Sequence, residues 1–146
     1  DSSGMRFHHA LQLRAHAMGV LQFGDPHLRL FGRLLPAGWS KHSFRCRGFT
    51  EEFSAEEVVV TQSLLHMHAT GQRIEARVVR GGAVVRRDSA EVWDWSQNAN
   101  YIPLSTGRGW VLRRGDELEV DCYYHVPPER EGATYFGRAA HAEMCM

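Results

Sequence analysis

Two histidines stand two apart in the stretch Leu64-Leu65-His66-Met67-His68-Ala69-Thr70-Gly71. In an extended chain alternate side chains share a face. His66 and His68 therefore project together, with α-carbons ~6.5–7 Å apart. Two neutral imidazoles at that spacing can converge on one metal ion. Met67 points to the opposite face and belongs with the core. Gly71 lets the chain turn at a sheet rim, where sites gather. Two ligands need a third, and the sequence offers His125, His141, Met144, Cys145, Glu143 and Asp121. A thioether would favour Cu(I); a carboxylate beside two histidines would suggest non-haem iron or zinc. Spacing leaves these open, because strands meet through the fold. The competing reading is a pair of polar residues on the wet face of a strand.

The elements that must position such a pair read as short strands punctuated by glycine. Arg73 to Arg87 carries two β-branched arms around Gly81-Gly82, a pair able to take the positive φ angles of a tight hairpin. Glu57–Met67, Gly109–Leu112, Asp116–Tyr124 and Thr134–Met144 also read as strands, with turns at Gly115-Asp116 and Pro127-Pro128. Ala10–Gln22 has helix-forming composition interrupted by Gly19, and strand or irregular structure is expected there. The loop Ser89–Ser105 carries Trp93 and Trp95, expected to cap a core edge. Strands at this spacing predict an all-β fold, a single-domain antiparallel β-sandwich of jelly-roll type.

The chain has 146 residues, enough for one domain with a real core. Lys+Arg and Asp+Glu both number 17, giving a formal net charge of zero. That argues against a nucleic-acid partner or a membrane-surface binder, which usually carries a basic excess. No apolar run approaches the ~18 residues of a membrane span. The chain begins at Asp1 and is expected to be a piece of a longer protein. Its three cysteines, Cys46, Cys122 and Cys145, allow one internal disulfide and leave one thiol over.

Two further stretches join the first. "LLHMHATG", "GDELEVDCYYH" (Gly115 to His125) and "ATYFGRAAHAEMCM" (Ala133 to Met146) occur in order. The start, Asp1 to Gly24, fits the same series. Together they resemble the copper type II, ascorbate-dependent monooxygenases over essentially the whole chain. The resemblance implies that residues 1–146 form the C-terminal catalytic copper domain. The N-terminal electron-transfer copper domain and the extreme C-terminal tail are absent from this stretch. It implies copper held by His66, His68 and Met144, with ascorbate as reductant and a second copper in the N-terminal domain. Dioxygen and a small-molecule substrate are the implied partners. It also implies a Cys122–Cys145 disulfide, Cys46 left single, and a secretory or extracellular location. No general base is required.

Where the peptide-hydroxylating members carry an arginine two residues before the first histidine, this chain has Leu64. That makes an amine or other small molecule with an activated C–H bond a better expected substrate than a peptide C-terminus. The alternative is a catalytically inactive copper-binding or interaction domain of the same fold. The remaining histidines, His8, His9, His16, His27, His42, His125 and His141, are not expected to bind copper. His141 or Glu143 could support the site from behind the ligands.

Overall fold

The structure is a computed structural model, and it describes residues 4–13, 15, 18–25, 32–47, 56–94, 109–137, 139 and 141–146. The fold is an all-β antiparallel sandwich, as the strand spacing predicts. Its strands are β1 (Leu34–Leu35), β2 (Gly38–Cys46), β3 (Glu57–Val60), β4 (Gly71–Arg80), β5 (Ala83–Ala90), β6 (Trp110–Arg113), β7 (Glu117–Val126) and β8 (Thr134–Tyr135). A four-stranded sheet runs in the order β2-β7-β4-β5, and two ribbons pair β1 with β8 and β3 with β6.

Alternation in β4 and β7 sets the two faces of the large sheet. Ile74 and Val78 of β4 and Val120, Cys122, Tyr124 and Val126 of β7 point inward. Leu35, Leu65, Met67, Trp93, Phe136 and Cys145 cover them and complete the core. The outer face interleaves opposite charges across the strands. Arg77 reaches Glu75 at 2.9 Å and Asp121 at 2.9 Å, and Lys41 reaches Asp121 at 3.0 Å. Glu75 and Asp121 are buried beneath these partners.

The β4–β5 hairpin turns where expected. Gly81 (φ 55°) and Gly82 (φ 82°) both lie in the left-handed region that such turns demand. The Gly115 turn joins β6 to β7, with the Asp116 N–H donating to the Arg113 carbonyl at 3.0 Å. There Asp116, 1% exposed, accepts Arg80 at both oxygens (2.7 and 2.8 Å) and the Arg113 N–H at 2.8 Å. Arg80 also donates to the Val111 carbonyl, tying the large sheet to the β3–β6 ribbon.

The Arg80 hydrogen bonds hold the Asp116 carboxyl below its ordinary range. A depressed carboxylate stabilises the fold fully above the unfolded pKa, near 4, and loses this as pH falls through the folded value. Urea unfolding midpoints at pH 6, 4 and 3 are expected to show the wild-type advantage over Asp116→Asn shrinking toward acid. A constant difference would contradict that.

Several expectations need correction. Only Glu57–Val60 of the expected Glu57–Met67 strand pairs in a sheet. The chain then leaves the ribbon to bury Leu65 and Met67. Among the described residues of Thr134–Met144 only Thr134–Tyr135 forms a strand, and Glu143 makes an isolated parallel bridge with Phe136. Gly137 N–H donates to the Glu143 carbonyl and Glu143 N–H to the Tyr135 carbonyl. The loop expected from Ser89 begins later, since β5 includes Ser89 and Ala90. β2 was not anticipated. His125 lies within β7, its ring tilted against that of Trp39 at 5.0 Å. The described part of Ala10–Gln22 contains neither helix nor strand. Trp93 is buried at the core edge as expected, whereas Trp95, His16 and His27 lie outside the described residues.

Candidate metal centre

The segment from Leu64 to His68 alternates in burial and leads into a turn. Leu65 (5% exposed), Met67 (0%) and Thr70 (4%) face inward. Leu64, His66 and His68 share the other side, where Leu64 is 57% exposed and both histidines are half-buried. The two imidazoles meet edge to face with ring centroids 5.0 Å apart. Burial and the neighbouring His68 hold His66 below the ordinary imidazole pKa, against a weaker upward pull from Glu143. It stays neutral at physiological pH, so its ring keeps a lone pair.

The C-terminal residues brace this pair one after another. His66 and Met146 exchange both backbone hydrogen bonds, at 2.9 and 3.0 Å. That is the close-spaced pair of an antiparallel ladder. The ring Nδ1 of His68 lies 2.5 Å from the Ala142 carbonyl. A carbonyl can only accept, so Nδ1 carries the proton and, in the neutral ring, Nε2 is the nitrogen with the lone pair. The Glu143 carboxylate accepts the backbone N–H of His68 at 3.0 Å and of Thr70 at 2.7 Å. Cys145 is bonded to Cys122 of β7, as the resemblance implied, and Cys46 is a free thiol. The Tyr124 hydroxyl donates to the Met144 carbonyl at 2.6 Å.

Trp93 closes the remaining side. Its indole N–H donates to the His68 carbonyl at 3.2 Å, and its ring lies 6.4 Å from His66. Gly71 has a different role from the one expected. The turn itself falls at Ala69-Thr70, closed by the Gly71 N–H donating to the His68 carbonyl at 3.1 Å. A Cβ at Gly71 would lie 2.8 Å from the end of Met67 and 2.9 Å from Trp93, so glycine is required there for close packing.

The geometry also separates the third-ligand candidates. Cys145 is consumed by the disulfide. Asp121 faces the charged outer side with Ser43, Lys41 and Arg77, and His125 lies on that side too. His141 is exposed. Glu143 spends both oxygens on backbone donors. Among the described residues, no three His, Cys, Asp or Glu side chains gather into a metal cage. Met144 is half-buried on the segment that pairs with the histidines. Two imidazoles suit a borderline or soft metal ion, and a thioether joining them would favour monovalent copper over a hard, oxygen-seeking ion.

Residues 41–146 match the sequence model of the copper type II ascorbate-dependent monooxygenase C-terminal domain. The chain belongs to that family. All of this chain aligns with DBH-like monooxygenase protein 2 of Mus musculus, at 29% identity over 158 aligned residues and covering 24% of that protein. It likewise aligns throughout with dopamine beta-hydroxylase of Canis lupus familiaris (25% identical, 23% of that protein) and DBH-like monooxygenase protein 1 of Mus musculus (28%, 24%). The chain thus spans about a quarter of the length of these curated relatives.

Proposed function

We propose that residues 1–146 are the oxygen-activating copper domain of an ascorbate-dependent monooxygenase, with His66, His68 and Met144 holding one copper ion. The observation that carries this is the convergence of the two imidazoles against the 142–146 segment, with the Ala142 carbonyl engaging His68 Nδ1 and leaving Nε2 as the nitrogen for a metal. Copper bound there supplies one-electron redox chemistry toward dioxygen. The chain's own part is positional: Ala142 fixes the His68 tautomer, Trp93 screens the pair, and the disulfide with Tyr124 holds the Met144 backbone. Three protein ligands would also leave a coordination position open, as a catalytic site needs.

The substrate we favour is an amine or other small molecule with an activated C–H bond. Leu64 lies on the histidine side of the chain and offers no cation to a peptide carboxylate. The whole protein would draw its second electron from a copper domain N-terminal to this one, consistent with relatives about four times as long. This domain alone would bind one copper and fail to complete turnover. The buried disulfide favours an oxidising compartment, in the secretory pathway or outside the cell. Among the described residues no helix is long and apolar enough to cross a membrane.

Titration of the ascorbate-reduced chain with Cu(I) against a competing chelator tests the ligand set. Wild type is expected to take one ion, with His66→Ala and Met144→Ile each binding at least ~10-fold more weakly, a loss of ~1.4 kcal/mol or more. Unchanged binding in both variants would sink the assignment.

A further inference from the structure

The ligand turn rests on a buried carboxylate that, among the described residues, has no lysine or arginine ion-paired with it. Glu143 is 3% exposed. Oε2 accepts the His68 N–H and Oε1 the Thr70 N–H. Both oxygens of the carboxyl accept from backbone donors, the hydrogen bonding that favours its charged form. Among the described residues, no lysine or arginine forms an ion pair with it; the ion pairs lie on the outer face and along the ribbon and hairpin. Two N–H dipoles satisfy its hydrogen bonding, and among the described residues no cationic side chain offsets its charge. Buried charges are otherwise paired or placed beside metals.

The nearest place for a compensating cation is the histidine pair, since Glu143 grips the backbone of His68 itself. Its own backbone is pinned on both sides, by the Tyr135 carbonyl at 2.7 Å and the Gly137 N–H at 2.9 Å. The carboxylate therefore stays behind the turn, outside any ligand position.

We infer that Glu143 is the built-in counter-charge of the metal centre, a positioning residue that acts through the ligand turn and makes the buried site electrically neutral for a monovalent ion. This rests on the copper reading given above. Two neutral imidazoles and a thioether carry no charge. With Glu143 the site sums to zero for Cu(I) and to plus one for Cu(II). Coulomb attraction scales with the ion's charge, so removing the carboxylate weakens Cu(II) more than Cu(I) and raises the midpoint potential. A residue that only clamped the turn would leave that ratio unchanged.

The test uses the full chain with Cu(I) and Cu(II) competition titrations and the copper midpoint potential. Glu143→Gln removes the charge and keeps the size. Glu143→Asp keeps the charge and shortens the clamp. In Glu143→Gln, Cu(II) affinity is expected to fall ~10–100-fold. Cu(I) affinity should fall less, and the potential should rise by ~59 mV for each tenfold difference between the two losses. In Glu143→Asp the ratio of the two affinities should stay within about threefold of wild type, even where the apoprotein unfolds earlier. An unchanged ratio in Glu143→Gln overturns the inference. So does a ratio that moves as far in Glu143→Asp, which also decides the matter should the glutamine variant not fold. Wild type that takes up no copper removes the copper reading itself. Wild type that binds one ion, with an unmoved ratio in Glu143→Gln, removes this inference alone.

Discussion

Replacing Cys122 and Cys145 together with alanine is expected to lower the unfolding free energy by ~3 kcal/mol. The two cysteines are 23 residues apart in sequence. In the chain-entropy model, closing a loop of that length in the unfolded chain is worth about this much. Both positions are buried, Cys122 fully and Cys145 to 3% exposure, so the lost sulfur contacts add to the entropic loss. The consequence for the site follows from what remains. Without the bond, the 144–146 segment is held by the Tyr124–Met144 hydrogen bond and the His66–Met146 pair. Each is worth ~1 kcal/mol net, too little to hold a chain end closed against local opening. The Met146 and His66 amides should then exchange with deuterium well before the β4–β7 amides. Urea unfolding of the double alanine variant beside wild type gives the stability change, and Cys46→Ala supplies the control. Cys46 ends strand β2, half-buried and unbonded. If Cys46→Ala costs as much as the double variant, the effect comes from packing and the tether argument fails.

How far the sequence could be read depends on where the physics was local. The β4–β5 hairpin was legible because Gly81-Gly82 names its own turn and the flanking arms alternate cleanly. The face assignment of His66, Met67 and His68 was legible because extended alternation needs no sheet: it held although this stretch pairs with no strand. β2 was invisible because its inward positions are Ser40, His42, Phe44 and Cys46, which hardly contrast with Trp39, Lys41, Ser43 and Arg45 outward. His42 can be buried only because Asp25, from a different part of the chain, meets its ring at 3.0 Å. Burial holds His42 below the ordinary imidazole value despite that carboxylate. No window of local sequence carries such a pairing.

The candidate site divides in the same way. Its histidines announce themselves by spacing, and the Cys122–Cys145 pairing came from resemblance, since three cysteines alone leave the partner choice open. The supports came from neither. The Ala142 carbonyl that sets the His68 tautomer is a backbone atom and leaves no mark in the residue types. The Tyr124 hydroxyl reads as an ordinary strand tyrosine. Glu143 was visible as a carboxylate near a methionine, but its two backbone donors lie 73 and 75 residues away. Only the fold, through the bridge between Phe136 and Glu143, brings them together. The one sequence signal that could have exposed this is the run of small residues, Gly137, Ala139, Ala140 and Ala142, which opposes a continuous strand from Thr134 to Met144.

Trp93 joins stability to the ligand turn, and Trp93→Ala is expected to cost ~3–5 kcal/mol, the range for emptying a buried aromatic site. The indole is 9% exposed and fills the space that Gly71 leaves by lacking a Cβ. Its contacts are of two kinds, and they can be separated. The ring contributes volume against Met67, Gly71 and His66, whereas Nε1 contributes one hydrogen bond to the His68 carbonyl. That carbonyl also accepts the Gly71 N–H, so losing the indole donor leaves it with one partner. Trp93→Phe keeps much of the ring and loses the donor, and should cost ~1 kcal/mol. The backbone bond from the Trp93 N–H to the Gln72 carbonyl at 2.8 Å survives in both variants. Stability and site order should therefore diverge. Trp93→Phe should unfold close to wild type in urea yet hold His68 less firmly, seen as broadened His68 imidazole resonances. Trp93→Ala should fail on both counts. Equal destabilisation by Phe and Ala would mean that the hydrogen bond, and not the ring, holds the turn. A loss of only ~1 kcal/mol from Ala would mean that the indole merely lies over a core complete without it.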